Sequence, residues 1–319
     1  MFVIISCDIF LDEYNPIVSP LFCGLKGSTE FGVTAMTEAA SRPIGIFDSG
    51  VGGLTVMSAI IDRLPGEELI YLGDTARVPY GNRGAETVRR YALNAASLLL
   101  SHRIKALVVA CNTASAFALE ALRDQLPIPV FGVIRPVATR AAHLSTTGEI
   151  AVLGTRGTIR SQAYQQVLMN LRPDLNVHSI ACPLLVPLAE EGWLRGSVTD
   201  QVLARYLEPL ASTGIDTMIL GCTHYPILRH AIAGVAGSLP LPKTTLLDSA
   251  KATSDAVADA LDDAGLLRHN DAPCGTHRFL LTDLPEGFVN TAELFFGRSL
   301  DGQCEHVDIA DTTSPSTTG

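Results

Sequence analysis

The sequence predicts an α/β fold built from two similar domains with mainly parallel sheets and a cleft between them. Three observations carry this. Short continuous apolar runs alternate with segments of helical period along most of the chain. Strands apolar on both faces belong to parallel sheets covered by helices on each side. At roughly 150 residues per domain, a chain of 319 residues has room for two. The chain also echoes itself, with two strands ending in a Cys turn and two in an Asp-Ser turn.

Ile44-Gly45-Ile46-Phe47 reads as the first strand, and Leu54 to Arg63 as a helix with Leu54, Met57, Ile60 and Ile61 on one face. Leu69 to Leu72 is a strand and Glu86 to His102 a helix. Ala106 to Ala110 and Pro129 to Val133 are strands flanking a helix over Ala114 to Gln125. Further strands are expected at Ile150–Leu153, Val177–Ala181, Thr217–Leu220 and Thr245–Leu247. Residues 43–134 with 246–300 are expected to form the first domain, and 135–245 the second. Residues 1–41 contain Asn15-Pro16, Ser19-Pro20, Gly24 and Gly27 and show no helical period. They read as a disordered extension or as the product of a start upstream of Met36. The Thr/Ser-rich end, 305–319, reads as a disordered tail.

Composition narrows the function. At 47% hydrophobic and 18% charged, the chain is not globally disordered. A net charge of −10 argues against a nucleic-acid backbone as partner. No apolar run of about 18 residues lacks charge, so no membrane span is expected. Met1 to Phe10 includes Asp8 and lacks the basic start of a secretory signal, which predicts a cytoplasmic protein. The seven Cys are odd in number and none has C-x-x-C spacing, against a disulfide framework or zinc ribbon. None of the four Lys sits in a glycine-rich strand-end turn, which disfavours a pyridoxal Schiff base. No His/Asp cluster has metal-ligand spacing. The expected chemistry needs neither metal nor organic cofactor.

In open α/β sheets ligands bind beyond the carboxyl ends of the strands. Four turns fall there: Asp48-Ser49-Gly50, Cys111-Asn112-Thr113, Cys222-Thr223-His224 and Asp248-Ser249-Ala250. A thiol at a helix N-terminus feels the positive end of the dipole and loses its proton more readily. Cys111 and Cys222, facing each other, would flank one carbon, one removing a proton and the other returning one to the opposite face. Two buried structural Cys are the plainer reading. Asn112, Thr113 and Thr223 offer neutral hydrogen-bonding groups, and His224 can polarise a thiol; helix capping is their plainer role. Asp48 to Gly53 is glycine-rich, but Thr55 stands where a third dinucleotide Gly would be, and no Gly-Lys-Ser/Thr follows. Asp48 suits an ammonium group, or holds Cys111 by a hydrogen bond, or caps a helix. Pro79-Tyr80-Gly81 either closes over a small ligand through backbone N–H groups or is a plain loop. Glu190 and Glu191 read by themselves as solvated carboxylates.

Several strings together carry a resemblance. They are Ile44 to Thr55, Tyr71-Leu72-Gly73-Asp74-Thr75, Pro79-Tyr80-Gly81, Ala110 to Ser115, Gly154 to Ile159, Cys182 to Glu190 and Leu220 to Ile227. In this order and spacing, from about residue 43 to 300, the chain resembles the glutamate racemases of the cofactor-independent aspartate/glutamate racemase superfamily. The resemblance implies reversible conversion of L- to D-glutamate, supply of D-glutamate for peptidoglycan, and two α/β domains, often as a homodimer. It implies that Cys111 acts on the D-isomer and Cys222 on the L-isomer. It further implies that Asp48, Ser49, Pro79, Tyr80, Gly81, Asn112, Thr113, Thr223 and His224 bind substrate or assist the thiols, with Glu190 beside the second Cys. Two features depart from the pattern. The 1–41 extension lies outside the family core, and Arg135-Pro136-Val137 stands where many members carry Pro-Gly. Regulation by a cell-wall precursor is open. So are two rival functions: an aspartate or other amino-acid racemase of the superfamily, and a non-catalytic small-anion binding protein.

Overall fold

The computed structural model describes residues 37–268, 275–300 and 304–309. The first run of elements is β1 (Ile44–Asp48), α1 (Leu54–Arg63), β2 (Leu69–Gly73), α2 (Ala85–Ser101), β3 (Ala106–Val109), α3 (Asn112–Gln125) and β4 (Val130–Gly132). A second run follows: α4 (Ile134–Leu144), β5 (Glu149–Gly154), α5 (Arg156–Arg160), α6 (Ala163–Leu171), β6 (Asn176–Ala181), α7 (Leu185–Glu190), α8 (Ser197–Leu207), β7 (Thr217–Gly221), α9 (Arg229–Gly237) and β8 (Thr245–Asp248). The chain then returns through α10 (Ser249–Asp263), β9 (His277–Leu281), α11 (Phe288–Phe296) and β10 (Cys304–His306).

Two parallel sheets result. One has the order β10-β9-β2-β1-β3-β4, the other β6-β5-β7-β8. Strand β1 is central to the first, with Ile44 beside Leu69 on one side and Ala106 on the other. It is buried along its whole length, as are β2, β3 and β7, because helices cover both faces. Helix α1 turns Leu54, Met57, Ile60 and Ile61 inward, as its period predicts. Each such side chain contributes about 1.5–3 kcal/mol on burial. No helix among the described residues is long and apolar enough to cross a membrane.

Three expectations change. The extension was expected to run to residue 41, but residues 37–41 form a helical turn. Lys105 is the reason. Its ammonium is buried, paired with Glu67 at 2.6 Å, and donates to the carbonyls of Ala40 at 2.7 Å and Leu266 at 2.8 Å. Burial pushes the Lys105 pKa down and the Glu67 carboxylate holds it up. A buried ammonium needs its hydrogen bonds filled, and the turn supplies one acceptor. Residues 1–36 and 310–319 of the expected extension and tail lie outside the described residues. Within the tail, Glu305 and His306 belong to β10, paired in parallel with β9. Finally, β8 pairs with β7 in the second sheet, so a division at 245/246 passes through a strand.

The topology places the four turns in pairs. The Asp48-Ser49 and Cys111 turns follow neighbouring strands β1 and β3. The Cys222 and Asp248-Ser249 turns follow neighbouring strands β7 and β8.

Candidate active site

Cys111 follows the buried strand β3 in extended conformation and is itself the N-cap of α3. Its Sγ accepts the Ala114 backbone N–H at 3.4 Å, so the helix begins at Asn112 and not at Ala114 as expected. The thiol lies 3.5 Å from the Ser49 hydroxyl oxygen. Burial pushes the Cys111 thiol up to about 12, and the Asp48 carboxylate adds to the rise; Ser49 and the Ala114 N–H pull the other way. The helix terminus therefore eases proton loss less than burial opposes it. Desolvation of a fully buried group is worth up to 3–5 pKa units, whereas a helix terminus contributes about 0.3–1 kcal/mol.

Cys222 follows β7 and has a different partner. Its Sγ is 3.9 Å from His224 Nδ1, and His224 Nε2 is 2.9 Å from Glu190 Oε1. Burial alone would lower the His224 pKa, but the Cys222 sulfur and the Glu190 carboxylate outweigh it and raise the value to about 10. At neutral pH the ring is an imidazolium with both nitrogens protonated. One N–H points to Glu190 and the other faces the Cys222 sulfur. Phe295 of α11 covers the ring edge-on at 5.0 Å between centroids. Glu190, which reads alone as a surface carboxylate, is thus the anchor of His224; Glu191 is exposed.

The two thiol turns interlock. Asp48 is fully buried; its carboxylate accepts the Gly50 N–H at 2.9 Å and the Thr223 hydroxyl at 3.5 Å. Burial raises the Asp48 pKa, while His224 and the N–H groups of Gly50, Gly53 and Ser49 hold it down. Asp48 thus touches the neighbour of Cys222, and Ser49 touches Cys111. The echo turn is different: Asp248 is ion-paired to Arg229 and caps α10 through the Ala250 N–H.

The glycines of this loop are there for closeness. A Cβ on Gly52 would lie 2.3 Å from Thr223 Oγ1 and 2.6 Å from His224 Nδ1, and one on Gly53 would lie 2.5 Å from Asp48 Cβ. Gly52→Ala is expected to push Thr223 and His224 off their partners. A steady-state assay should show a loss of activity of about 10²-fold, as small displacements at a reacting centre do, with the far-UV circular dichroism unchanged.

The Tyr80 loop is held from within. Tyr80 is buried and its hydroxyl donates to Asp74, which also pairs with Arg77 at 2.8 Å and accepts from Thr282 at 3.0 Å. The phenol is committed, leaving only the backbone of Tyr80 and Gly81 to meet a ligand. Pro79, also expected at the site, is exposed. Gly81 abuts Thr155, where a Cβ would stand 2.6 Å from Thr155 Cβ.

That contact leads to residues that sequence reasoning missed. Thr113 Oγ1 lies 2.9 Å from Thr155 Oγ1 and 3.1 Å from Thr158 Oγ1, joining α3 to the turn after β5. Gly154 to Ile159 carries part of the resemblance, yet nothing in two threonines marks them as site residues. Asn112 is buried and its Oδ1 accepts from Tyr164 of α6 at 2.6 Å. No string in the sequence points to Tyr164.

The comparisons with known proteins give the family. Residues 44–257 match the family model described as Asp/Glu/hydantoin racemase. Glutamate racemase of Geobacter metallireducens is 50% identical over 259 residues, 81% of this chain and 94% of that protein. The crystal structure of glutamate racemase from Francisella tularensis in complex with D-glutamate has 34% identity and a TM-score of 0.78, covering 85% of this chain and 98% of that one. The Escherichia coli glutamate racemase, in complex with L-glutamate and activator UDP-MurNAc-ala, has 29% identity and a TM-score of 0.65, covering 79% and 92%. The chain belongs to the Asp/Glu/hydantoin racemase family and, within it, to the glutamate racemases.

Proposed function

We propose that the chain interconverts L- and D-glutamate by moving the α-proton between two thiols, Cys222 on the L-face and Cys111 on the D-face. The carrying observation is that the two sulfurs have unlike partners within one interlocked set of turns, His224 at Cys222 and Ser49 at Cys111. Cys222 faces a cation and Cys111 is held protonated. From L-glutamate, the Cys222 thiolate takes the α-proton and becomes a thiol. The carbanion then takes the Cys111 proton on its opposite face, leaving a Cys111 thiolate and D-glutamate. Turnover of a D-glutamate, which starts from this Cys111 thiolate and Cys222 thiol, resets the site, as does exchange with solvent of one proton onto Cys111 and one off Cys222, while the His224 imidazolium keeps both its protons. In the reverse direction Cys111 must first lose its proton, and Asp48 is the buried carboxylate beside it.

The remaining roles follow from position. Asn112, Thr113 and Thr223 supply hydrogen bonds to substrate, and the free N–H groups opening α3 suit a carboxylate. Ser49, Tyr80, Gly81 and Pro79 complete the expected set, with Pro79 contributing least because it faces solvent. The reading includes a homodimer in the cytoplasm, supply of D-glutamate for peptidoglycan, and a response to a cell-wall precursor.

The test follows the circular dichroism of L-glutamate, D-glutamate and L-aspartate with purified protein and no added cofactor. Each is run with and without UDP-MurNAc-ala, the activator of the Escherichia coli complex. Decay of both glutamate signals to zero with aspartate unchanged is expected. Faster decay of aspartate, or no decay of any, would overturn the reading.

A further inference from the structure

Asn112 is held from one side only. Its Oδ1 accepts the Tyr164 hydroxyl at 2.6 Å, while its Nδ2 is buried with no hydrogen-bond partner. Both residues are 2% exposed. A buried N–H2 without an acceptor is costly and calls for a reason.

Tyr164 is well placed to supply that reason. It stands on α6, in the helical layer of the second sheet, whereas Asn112 opens α3 beside the first. Its ring lies against Gly221, where a Cβ would come within 3.0 Å of Tyr164 Cε2. Gly221 precedes Cys222, and Asn112 follows Cys111. One side chain therefore spans from the turn of one thiol to the turn of the other.

We infer that Tyr164 is a positioning residue that fixes the amide of Asn112 with its N–H2 group free to receive a carboxylate of the substrate. An amide has two orientations of equal shape, and only the hydrogen bonds around it choose between them. Flipped, it would present a carbonyl oxygen to an anion, which repels it. After a flip the Tyr164 hydroxyl could accept from the amide but its own buried proton would lose its acceptor, which disfavours the flip before substrate arrives. The substrate carboxylate then fills the open N–H2, so the orphaned donor is matched only in the complex. This inference rests on Asn112 binding glutamate.

A double-mutant cycle on steady-state kinetics with L-glutamate tests both levels. Asn112→Ala should raise KM about fivefold to tenfold through loss of one hydrogen bond to an anion. Tyr164→Phe should raise KM by a similar factor with kcat little changed. The double variant should be no worse than Asn112→Ala, because Tyr164 acts through Asn112. Removing both partners leaves neither buried and unsatisfied, so the double variant reads the coupling even if Tyr164→Phe is poorly folded. A purely structural Tyr164 would lower Tm and multiply the Asn112→Ala effect on KM. Tyr164→Phe with unchanged KM, or independent effects in the double variant, would overturn the inference while leaving Asn112 as a ligand. Unchanged KM in Asn112→Ala would instead remove Asn112 from the binding set, and the inference with it.

Discussion

Cys111→Ala and Cys222→Ala are each expected to lower racemisation by about 10²–10⁴-fold, the scale of a lost general acid or base. The fold should survive. Both thiols are small and buried, and neither belongs to a disulfide. Cys111→Ala also removes the acceptor for the Ala114 N–H, a cap worth about 0.5–2 kcal/mol, so its Tm should fall slightly more than that of Cys222→Ala. The two enantiomers have equal free energy, so kcat/KM in the two directions must stay equal for every variant and at every pH. The unlike thiols can therefore differ only in how kcat and KM separate. A variant that retained full activity would remove its thiol from the mechanism.

His224→Asn is expected to cost about 10²-fold in kcat/KM, with a telling pH dependence. In the native protein the imidazolium is the active form, since it places a positive charge beside Cys222. Its pKa is raised to about 10, so kcat/KM should hold through neutral pH and fall as pH rises through about 10. Glu190→Gln removes one of the charges that raise that pKa, so the alkaline limb should move to lower pH. The acid limb has another origin. Starting from D-glutamate, Cys111 must first lose its proton, the nearby Asp48 must be ionised to receive it, and burial raises the Asp48 pKa. Activity should therefore be lost as pH falls, at a pH above the ordinary carboxylate range. An alkaline limb unmoved in Glu190→Gln would dissociate it from His224.

Much of this was legible in the residues. Strands β1, β3 and β7 are continuous apolar runs because both their faces are covered, and the polar turns that end them are abrupt. The same abruptness picks out Asp48, Cys111 and Cys222. Strands β9 and β10 are less legible: the apolar run of β9 is only Phe279-Leu280-Leu281 behind a polar His277-Arg278 start, and Cys304-Glu305-His306 is the whole of β10. The Glu190–His224 pair spans 34 residues and joins α7 to a turn after β7. Local pattern cannot supply such a contact. Nor can it weigh burial against a helix terminus, so the residues leave open which of the two thiols holds its proton, and burial settles the direction only at Cys111. Thr155, Thr158 and Tyr164 are ordinary residue types made significant only by what the second sheet brings them against.

The central claim is that two different groups serve the two faces of one carbon. Its most direct test is L-glutamate in D2O, stopped at early conversion, with the enantiomers separated and weighed for α-deuterium. Cys222 takes protium from the substrate, and Cys111, exchanged with solvent, delivers deuterium. The D-glutamate formed should carry one deuterium at the α-carbon, and the recovered L-glutamate should carry none. Protium retained in the product, or deuterium in the recovered L-glutamate at the same early stage, would mean that one group serves both faces and would contradict the two-thiol mechanism.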